Sequence, residues 1–325
     1  MRHRTANVTV GIIIAGLTGF STPGVAQEMQ RTAWGAPDLQ GIWDFRSITP
    51  LQRSEEYAER EFLTEEEAAG LEQATVEREQ ELLDRPARRT QAGASVDRGE
   101  DGALGAYNDF WLDRGTTTVG SRRTSLIVDP PDGRMPTLTA EAERRADGRR
   151  AYREEHPADS WEDRGLNDRC MFTTGLPMVP SAYNNNVHIF QTPDHIAMVI
   201  EMTHTLRVVQ LDGRPHGTLP QFAGDSRGYW EGDTLVVETQ NFHRLTSLRG
   251  STPNAHLTER FTRVGPDTIQ YEFTIEDSDT WERPWTAQVE LMKTDEPLYE
   301  YACHEGNYSM EGILAGARAE EAAAR

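Results

Sequence analysis

Two segments near the C-terminus alternate strictly between apolar and polar residues, and this pattern constrains the fold more than any other feature of the sequence. Residues 269–275 place isoleucine, tyrosine, phenylalanine and isoleucine at every second position, and residues 285–291 do the same with tryptophan, alanine, valine and leucine. A period of two puts the apolar side chains on one face of a β-strand and the polar ones on the other. The pattern therefore predicts antiparallel strands that bury one face in a common core.

Further strands are predicted along the second half of the chain. In residues 224–242, Glu231-Gly232-Asp233 separates two runs of β-branched and aromatic residues, which is typical of a hairpin. The predicted strands are 187–192, 195–203, 206–211, 226–230, 234–239, 257–264, 268–276, 285–292 and 298–303. Since no helix-sized segment separates them, we expect a mainly β fold, an antiparallel up-and-down β-barrel that is closed or nearly closed.

The N-terminal half contains few strand patterns, and we expect it to form a long extension with peripheral helices. Its predicted elements are strands at 41–45 and 124–128, surface helices at 54–83 and 139–155, and a flexible loop at 84–104. Thr64 and Glu67 have the spacing of a capping box in the first helix. The expected organisation is an extension over 27–186, a barrel over 187–318 and a disordered tail over 319–325.

Residues 1–26 have the pattern of a secretory signal peptide. Arg2 and Arg4 precede a mostly apolar run, and Gly24-Val25-Ala26 offers a small-residue cleavage site. The alternative is a transmembrane anchor, but the apolar run is too short to cross a hydrocarbon core of about 30 Å. We therefore expect a periplasmic or secreted protein that is not inserted in a membrane.

The overall charge limits the possible partners. The chain carries a formal net charge of −20, which repels nucleic acids and anionic lipid surfaces. We therefore expect a small-molecule ligand and no nucleic-acid partner. The sequence leaves the oligomeric state open.

The two cysteines, Cys170 and Cys303, form a candidate disulfide. In an exported protein an even number of cysteines usually pairs, and this bridge would tie the middle of the chain to the end of the last predicted strand. The alternative is two buried free thiols.

Several motifs are specific as a set, among them DLQGIWDF, SAYNNNVHIFQTPDH, GDSRGYWEGDTLVVETQNF and YEYACHEGNY. Together they resemble a family of exported bacterial proteins without an assigned function, and the resemblance spans residues 38–318. Gly41-Ile42-Trp43 on an early strand, followed by a meander, resembles more loosely the signature of lipocalins and the wider calycin group. That second resemblance implies a calycin-like barrel whose cup holds a small, partly apolar molecule.

The lengths of the connections predict where the mouth of such a cup lies. We call the end at which strand 187–192 begins end A, and the opposite end end B. If consecutive strands alternate in direction, the short connections 204–205, 231–233, 265–267 and 293–297 fall at end A. The long connections 212–225, 240–256 and 277–284 then fall at end B. Because ligand sites favour long loops on a rigid frame, end B is the predicted mouth.

The candidate site residues belong to this predicted mouth and to the strands beside it. Candidate catalytic residues are His304, Glu305, His256, His243 and Arg283, and candidate ligand-binding residues are Trp285, Trp281, Asn241, Asp225 and Tyr271. Imidazoles near carboxylates suit general acid–base chemistry, whereas the alternative is that each is an ordinary loop histidine. The histidine spacings match no zinc signature and no dinucleotide or phosphate fingerprint is present, so neither a metal nor a cofactor is expected.

The sequence is compatible with three functions. The first is an exported lipocalin-like barrel that binds a small, partly apolar molecule. The second is an enzyme, a hydrolase, lyase or isomerase that uses the histidines and carboxylates at the mouth. The third is a structural or interaction module of the cell envelope, which a barrel filled by its own side chains would favour.

Overall fold

The structure is a computed structural model that describes residues 30–84, 112–171, 175–305 and 307–324. Its strands are β1 (Gly41–Asp44), β2 (Ile127–Asp129), β3 (Asn186–Gln191), β4 (His195–Ile200), β5 (Thr205–Gln210), β6 (Asp225–Glu231), β7 (Thr234–Gln240), β8 (His256–Gly265), β9 (Thr268–Glu276) and β10 (Trp285–Thr294). Its α-helices are α1 (Glu65–Asp84), α2 (Ala140–Glu155) and α3 (Tyr308–Ala323), and short 3-10 helices lie at Glu55–Tyr57, Trp161–Asp163 and Met202–His204.

The sheet closes into a barrel of nine strands. Strands β3 to β10 follow one another around the ring, and β1 pairs with both β3 and β10, so that no edge remains between the first and the last strand. β2 pairs with β10 through Thr286 and Ala287, at a different part of that strand from the one that β1 occupies. The mainly β fold and the barrel are therefore confirmed.

One connection reverses the strand directions that we expected from the sequence. β5 and β6 pair in parallel, Gln210 opposite Arg227, because the connection 211–224 returns from end B to end A before β6 begins. Its last residue, Gly224, has a φ of +71° and packs so closely that a β-carbon there would lie 2.6 Å from Thr239. The expectation of a purely antiparallel up-and-down barrel is wrong at this step, since the period of a strand carries no information about its direction.

The barrel interior is filled by large side chains. Inward positions of β8, β9 and β10 alternate with half-buried polar residues, as the period of two requires. Phe261, Tyr271, Phe273 and Trp285 are fully buried and form a continuous aromatic series, with ring centroids 4.9, 5.8 and 5.6 Å apart. A packed interior of this kind has the density of a protein core rather than that of an open cup.

A charged network lies within this apolar interior. The guanidinium of Arg207 donates to both carboxylate oxygens of Glu259, with one N–O distance of 3.0 Å, and it also donates to Ser226 and Thr239. The hydroxyl of Tyr271 donates to the same carboxylate at 2.7 Å. Burial, together with the negative charge of Glu259, raises the pKa of the Tyr271 phenol well above its ordinary value. The pair is therefore fully hydrogen-bonded, as a buried charge must be.

Both ends of the barrel are covered by protein. At end B, the Arg263 guanidinium lies 5.6 Å from the ring centre of Trp43 and donates to backbone carbonyls, including that of Gly265 at 3.1 Å. At end A, Leu176 and Met178 are buried, and the backbone N–H of Met178 donates to the Tyr271 hydroxyl at 3.3 Å.

The periphery agrees in part with the sequence-based expectations. α1 begins with the predicted capping box, in which the Thr64 N–H donates to Glu67 at 2.8 Å and the Glu67 N–H donates to Thr64 at 3.2 Å. Residues 298–303 do not form the predicted strand, and the backbone N–H of Tyr299 donates to the Glu201 side chain at 3.0 Å. Residues 319–323, expected to be disordered, belong to α3. The predicted signal peptide and most of the predicted flexible loop lie outside the described residues.

The predicted disulfide is present. Cys170 and Cys303 are bonded, with their Cα atoms 5.6 Å apart and 133 positions apart in the sequence. The bridge joins the segment after β10 to the segment that precedes Leu176 and Met178, the buried residues at end A.

Candidate functional site

The reversal after β5 moves the candidate residues to end A. Asn186 pairs with Asp44 at that end, and the successive strand registers place His256, Glu276 and Trp285 there as well. The connections 241–255 and 277–284 therefore lie at the same end as Asn184–Asn186, instead of at end B as we expected. These two connections still share one end, because the reversal at 211–224 precedes both of them.

The five candidate catalytic residues make separate contacts. The His243 ring packs against Phe222, with centroids 4.5 Å apart, and Arg283 forms an exposed ion pair with Asp129 at 2.8 Å. His256 begins β8, while His304 and Glu305 follow the disulfide. Within the described part of the chain, no hydrogen bond or ion pair joins any two of these five residues. The contact that nucleophilic or acid–base catalysis would require is therefore not formed between them.

The five candidate ligand-binding residues have structural partners. Tyr271 and Trp285 are sealed inside the barrel, and Trp281 packs edge-to-face against Trp285 with centroids 5.8 Å apart. Asp225 accepts from the Gly217 N–H at 2.6 Å and pairs with Arg227 at 2.5 Å, and Asn241 donates to the Gly217 carbonyl at 2.7 Å. The first three belong to the core, and the last two hold the connection that crosses from β5 to β6.

An opening lies beside the barrel, between α1 and end A, and we call it the helix cavity. Its volume is about 850 Å³, within the range of small-molecule pockets. Its lining comes from α1, from residues 47–51 after β1, from four residues within 112–126 before β2, from residues 179–182 before β3, and from one residue of the 241–255 connection. These residues are Ser47, Ile48, Thr49, Pro50, Leu51, Leu71, Ala74, Thr75, Arg78, Glu79, Leu82, Leu83, Leu112, Arg114, Gly115, Leu126, Val179, Pro180, Ser181, Ala182 and Arg249.

The apolar side of the helix cavity follows from the sequence of α1. Leu71 and Leu82 lie on the same side of the helix, and both line the cavity together with Leu83 instead of packing tightly against the barrel. Only Ala68 of this helix is buried. The side chain of Glu72 holds the helix in place by accepting from the backbone N–H of Thr118 at 2.9 Å and from its hydroxyl at 2.8 Å. The helix is therefore attached to the barrel mainly at its first turns, and the rest of its apolar stripe lines the opening.

Arg249 is presented to the cavity by a tight turn. Leu248 is buried and anchors the turn, its N–H donating to the Ser251 hydroxyl at 2.8 Å, while the Gly250 N–H donates to Ser247 at 3.1 Å. Arg249 adopts a φ of +55°, which turns its side chain away from the anchored face. The same residue also lines an adjoining opening of about 390 Å³ with Met178, Ile200 and Met202, so it stands between the two spaces.

Three arginines and one glutamate line the helix cavity. Arg78 is paired with Glu81 at 3.5 Å, which leaves Arg114 and Arg249 as the arginines without a carboxylate partner among the described residues. Arg249 reaches solvent, yet the surrounding protein is close enough that burial lowers the pKa of its guanidinium. Arg114 is exposed on the other side of the cavity. Among the residues that the structure describes, neither arginine forms a hydrogen bond or an ion pair. An anionic group that enters the cavity would therefore find two guanidinium groups free to donate.

Neither arginine was a candidate in the sequence, and the available signal was slight. Leu248-Arg249-Gly250 lies in a long connection between two predicted strands, a position that favours function in general but does not single out one residue. Arg114 follows the aromatic sequence Tyr107 to Asp113, whose pattern indicates packing but names no partner.

The described residues contain neither a metal-binding cluster nor a membrane-spanning helix. No group of three or more histidine, cysteine, aspartate or glutamate side chains is arranged to hold a metal ion within residues 30–84, 112–171, 175–305 and 307–324. Within the same ranges, no helix is both long and apolar enough to cross a bilayer.

Comparisons with known proteins give little further information. No protein-family model matches the chain, and no curated protein matches it. Among solved structures, the chain is similar to a secretary abundant heat soluble (SAHS) protein from Ramazzottius varieornatus, with 16% sequence identity over 41% of this chain and 89% of that chain and a TM-score of 0.25. A TM-score this low carries no argument about function or about fold, so the barrel rests on the strand pairing described above.

Proposed function

We propose that the protein binds a small, partly apolar molecule that carries an acidic group, and that the helix cavity is its binding site. One observation carries the proposal: an apolar wall formed by leucines of α1 faces two arginines that have no carboxylate partner among the described residues. Ligand pockets commonly combine apolar lining with a small number of polar groups that fix orientation. The acidic group of the ligand would take the place of the missing carboxylates.

The proposed ligand lies beside the barrel and not inside it. The interior of the barrel is occupied by Trp43, Phe261, Tyr271 and Trp285, so a ligand there would have to displace core side chains. A barrel filled by its own side chains is also what we would expect of a structural or interaction module of the cell envelope. The helix cavity supports binding instead, because it is an opening of ligand size whose lining includes two arginines without a carboxylate partner among the described residues.

Two broader proposals, on the type of barrel and on export, accompany this one. The calycin-like character of the barrel is supported by Gly41 and Trp43, which lie on β1, the strand that closes the ring.

Export to the periplasm or the medium is supported by the Cys170–Cys303 bridge, since structural disulfides persist in oxidising compartments. Intact-mass measurement of the secreted or periplasmic fraction tests the export proposal: the mature chain should begin near Gln27, and an intact residue 1 in that fraction would contradict it.

A fluorescent probe pair tests the binding site. Dansylaminoundecanoic acid carries an apolar chain that ends in a carboxylate, and the matching alcohol has the same chain without the charge. We expect the acid to bind the wild-type protein more tightly than the alcohol. Arg249→Gln should weaken binding of the acid by about tenfold while changing the Kd of the alcohol little, because only the charged contact is lost.

The matched control is Arg244→Gln, a neighbouring exposed arginine of the same connection that does not line the cavity. It makes the same change in net charge without altering the site. Equal Kd values for the acid and the alcohol in the wild type would overturn the proposal. So would an Arg249→Gln variant that behaves like the Arg244→Gln control.

A further inference from the structure

A second cavity, which we call the acidic cavity, lies beside the disulfide at end A. It has a volume of about 680 Å³, and it shares none of its described lining residues with the helix cavity. No arginine, lysine or histidine is found among those lining residues. Its acidic members are Asp113, Asp168, Glu201, Glu296, Glu300 and Glu305.

Only part of this negative charge is neutralised by the protein. Arg46 pairs with Asp113 at 2.7 Å and approaches Glu296 at 3.5 Å, and Arg164 pairs with Asp168 at 3.0 Å. Glu201, Glu300 and Glu305 have no basic partner among the described residues. The cavity therefore retains a negative charge that favours a cationic occupant.

Two buried groups at the base of the cavity point to a ligand more directly. Glu201 is 3% exposed, and its carboxylate accepts from the side chain of Asn186 at 3.0 Å and from the Tyr299 N–H at 3.0 Å, but it has no counter-charge. Asn186 is 6% exposed and also lines the cavity. Because its Nδ2 donates to Glu201, the amide orientation is fixed, and its Oδ1 is a buried acceptor with no donor in the described chain. The unpaired Asn186 oxygen and the Glu201 carboxylate both present negative charge that no basic group among the described residues compensates, and a cation bound in the adjoining cavity would stabilise both.

One wall of the acidic cavity is aromatic. The rings of Tyr183 and Tyr301 are stacked, with centroids 6.3 Å apart and planes inclined by 17°, and Tyr299 lies on the exposed rim. Aromatic faces attract ammonium groups through their electron-rich centres, and this attraction is strongest where water is excluded. Carboxylates combined with aromatic faces are the lining that suits an organic cation.

The distribution of the carboxylates also indicates the kind of cation. They lie around a cavity of several hundred cubic ångströms, and no three of the described histidine, cysteine or acidic side chains converge as metal ligands. Metal ions bind where several oxygen ligands meet within a short radius. The spacing therefore favours a cation with an extended organic body.

We propose that the acidic cavity is a second binding site of this protein, for a small organic ammonium ion held by Glu201 and Asn186 against the Tyr183–Tyr301 wall. The proposal is independent of the ligand proposed for the helix cavity. It assigns a role to the polar segment Asn184–Asn186, in which Asn185 is used structurally, its side-chain oxygen accepting from the Ser181 N–H at 2.8 Å.

Isothermal titration with choline and with putrescine tests this proposal. The titrations use the full mature chain in sodium chloride of about 0.15 M, which screens the general attraction of a negatively charged surface. At least one of the two cations should bind saturably with one site. Glu201→Gln should weaken that binding by at least about tenfold, because it removes the buried charge that faces the cation. Tyr301→Leu should weaken choline more than putrescine, since a quaternary ammonium ion depends more on aromatic faces.

The matched control is Glu276→Gln, which makes the same charge change at an exposed position of end A outside the cavity. It should leave both affinities unchanged. If Glu201→Gln fails to fold, the double variant of the rim residues, Glu300→Gln with Glu305→Gln, is judged by the same criterion. The proposal is overturned if neither cation binds saturably, or if the cavity variants and the Glu276→Gln control lose affinity equally.

Discussion

Replacing Glu259 by glutamine would leave the Arg207 guanidinium without its carboxylate inside the barrel. Glu259 is fully buried and Arg207 nearly so, and Arg207 donates to both oxygens of the carboxylate. Removing one partner of a buried ion pair costs about 3–5 kcal/mol, because the remaining charge stays out of water. The variant keeps an oxygen that can accept from the Tyr271 hydroxyl, so we expect a loss near the lower limit, about 3 kcal/mol.

Urea unfolding followed by tryptophan fluorescence measures this loss. With an m-value of about 3 kcal/mol per M, the midpoint should fall by about 1 M. The double variant Arg207→Met with Glu259→Leu removes both charges and should recover most of the stability, since apolar replacements of a buried pair are often neutral.

An exposed ion pair on the outside of the same barrel provides the control. Arg260 and Glu231 are in contact at 2.7 Å but lie in solvent, so Glu231→Gln should cost less than about 1 kcal/mol. A Glu259→Gln variant as stable as this control would refute the reasoning. It would mean that water reaches the pair and that the interior is an open cup.

Two further predictions concern the disulfide and one histidine. Cys303→Ser removes the disulfide that closes a loop whose ends lie 133 positions apart. The free energy of unfolding should fall by about 4–5 kcal/mol, and Tm should decrease. An unchanged Tm would contradict the bridge. The imidazole of His156 donates a hydrogen bond to the Asp159 carboxylate, and this bond raises the pKa of His156. The stability that the contact adds is therefore complete below the unfolded-state pKa of about 6.5 and is lost as pH rises through the folded-state value. NMR titration should show a lower His156 pKa in Asp159→Asn, and an identical pKa in both proteins would exclude the contact.

The strands that the sequence predicts best are those with a strict period of two. The predicted range 268–276 coincides with β9, and the predicted range 285–292 lies within β10. One face of each strand lies in the core, and that requirement is local enough to appear directly in the sequence. The capping box of Thr64 and Glu67 was predictable for the same reason, because all its partners lie within one helical turn.

The direction of the later strands could not be predicted from these patterns. It depends on the single connection 211–224, which pairs β5 with β6 in parallel, and alternation along a strand is the same in both directions. The filled interior was equally difficult to foresee. Glu259 occupies an inward position between Leu257 and Phe261, and a charge in an apolar alternation was the one available signal, but its partner Arg207 lies 52 positions away.

The proposed sites depend on contacts of the same non-local kind. The helix cavity exists because α1, the segment after β1 and the turn at Arg249 meet at end A, and these parts are far apart in the sequence. The sequence did predict that the long connections 240–256 and 277–284 share one end of the barrel, although it assigned them to the wrong end. It did not indicate that Arg114 and Arg249, the arginines proposed to bind the ligand, line an opening outside the barrel.

A ligand bound at Arg249 would lie beside the barrel and not within it. The most direct measurement is a crystal structure of the protein soaked with dansylaminoundecanoic acid. We expect density for the probe between α1 and end A, with its carboxylate within hydrogen-bonding distance of Arg249 and with Trp43, Phe261 and Tyr271 in unchanged positions. Probe density inside the barrel, among those three displaced side chains, would contradict this placement.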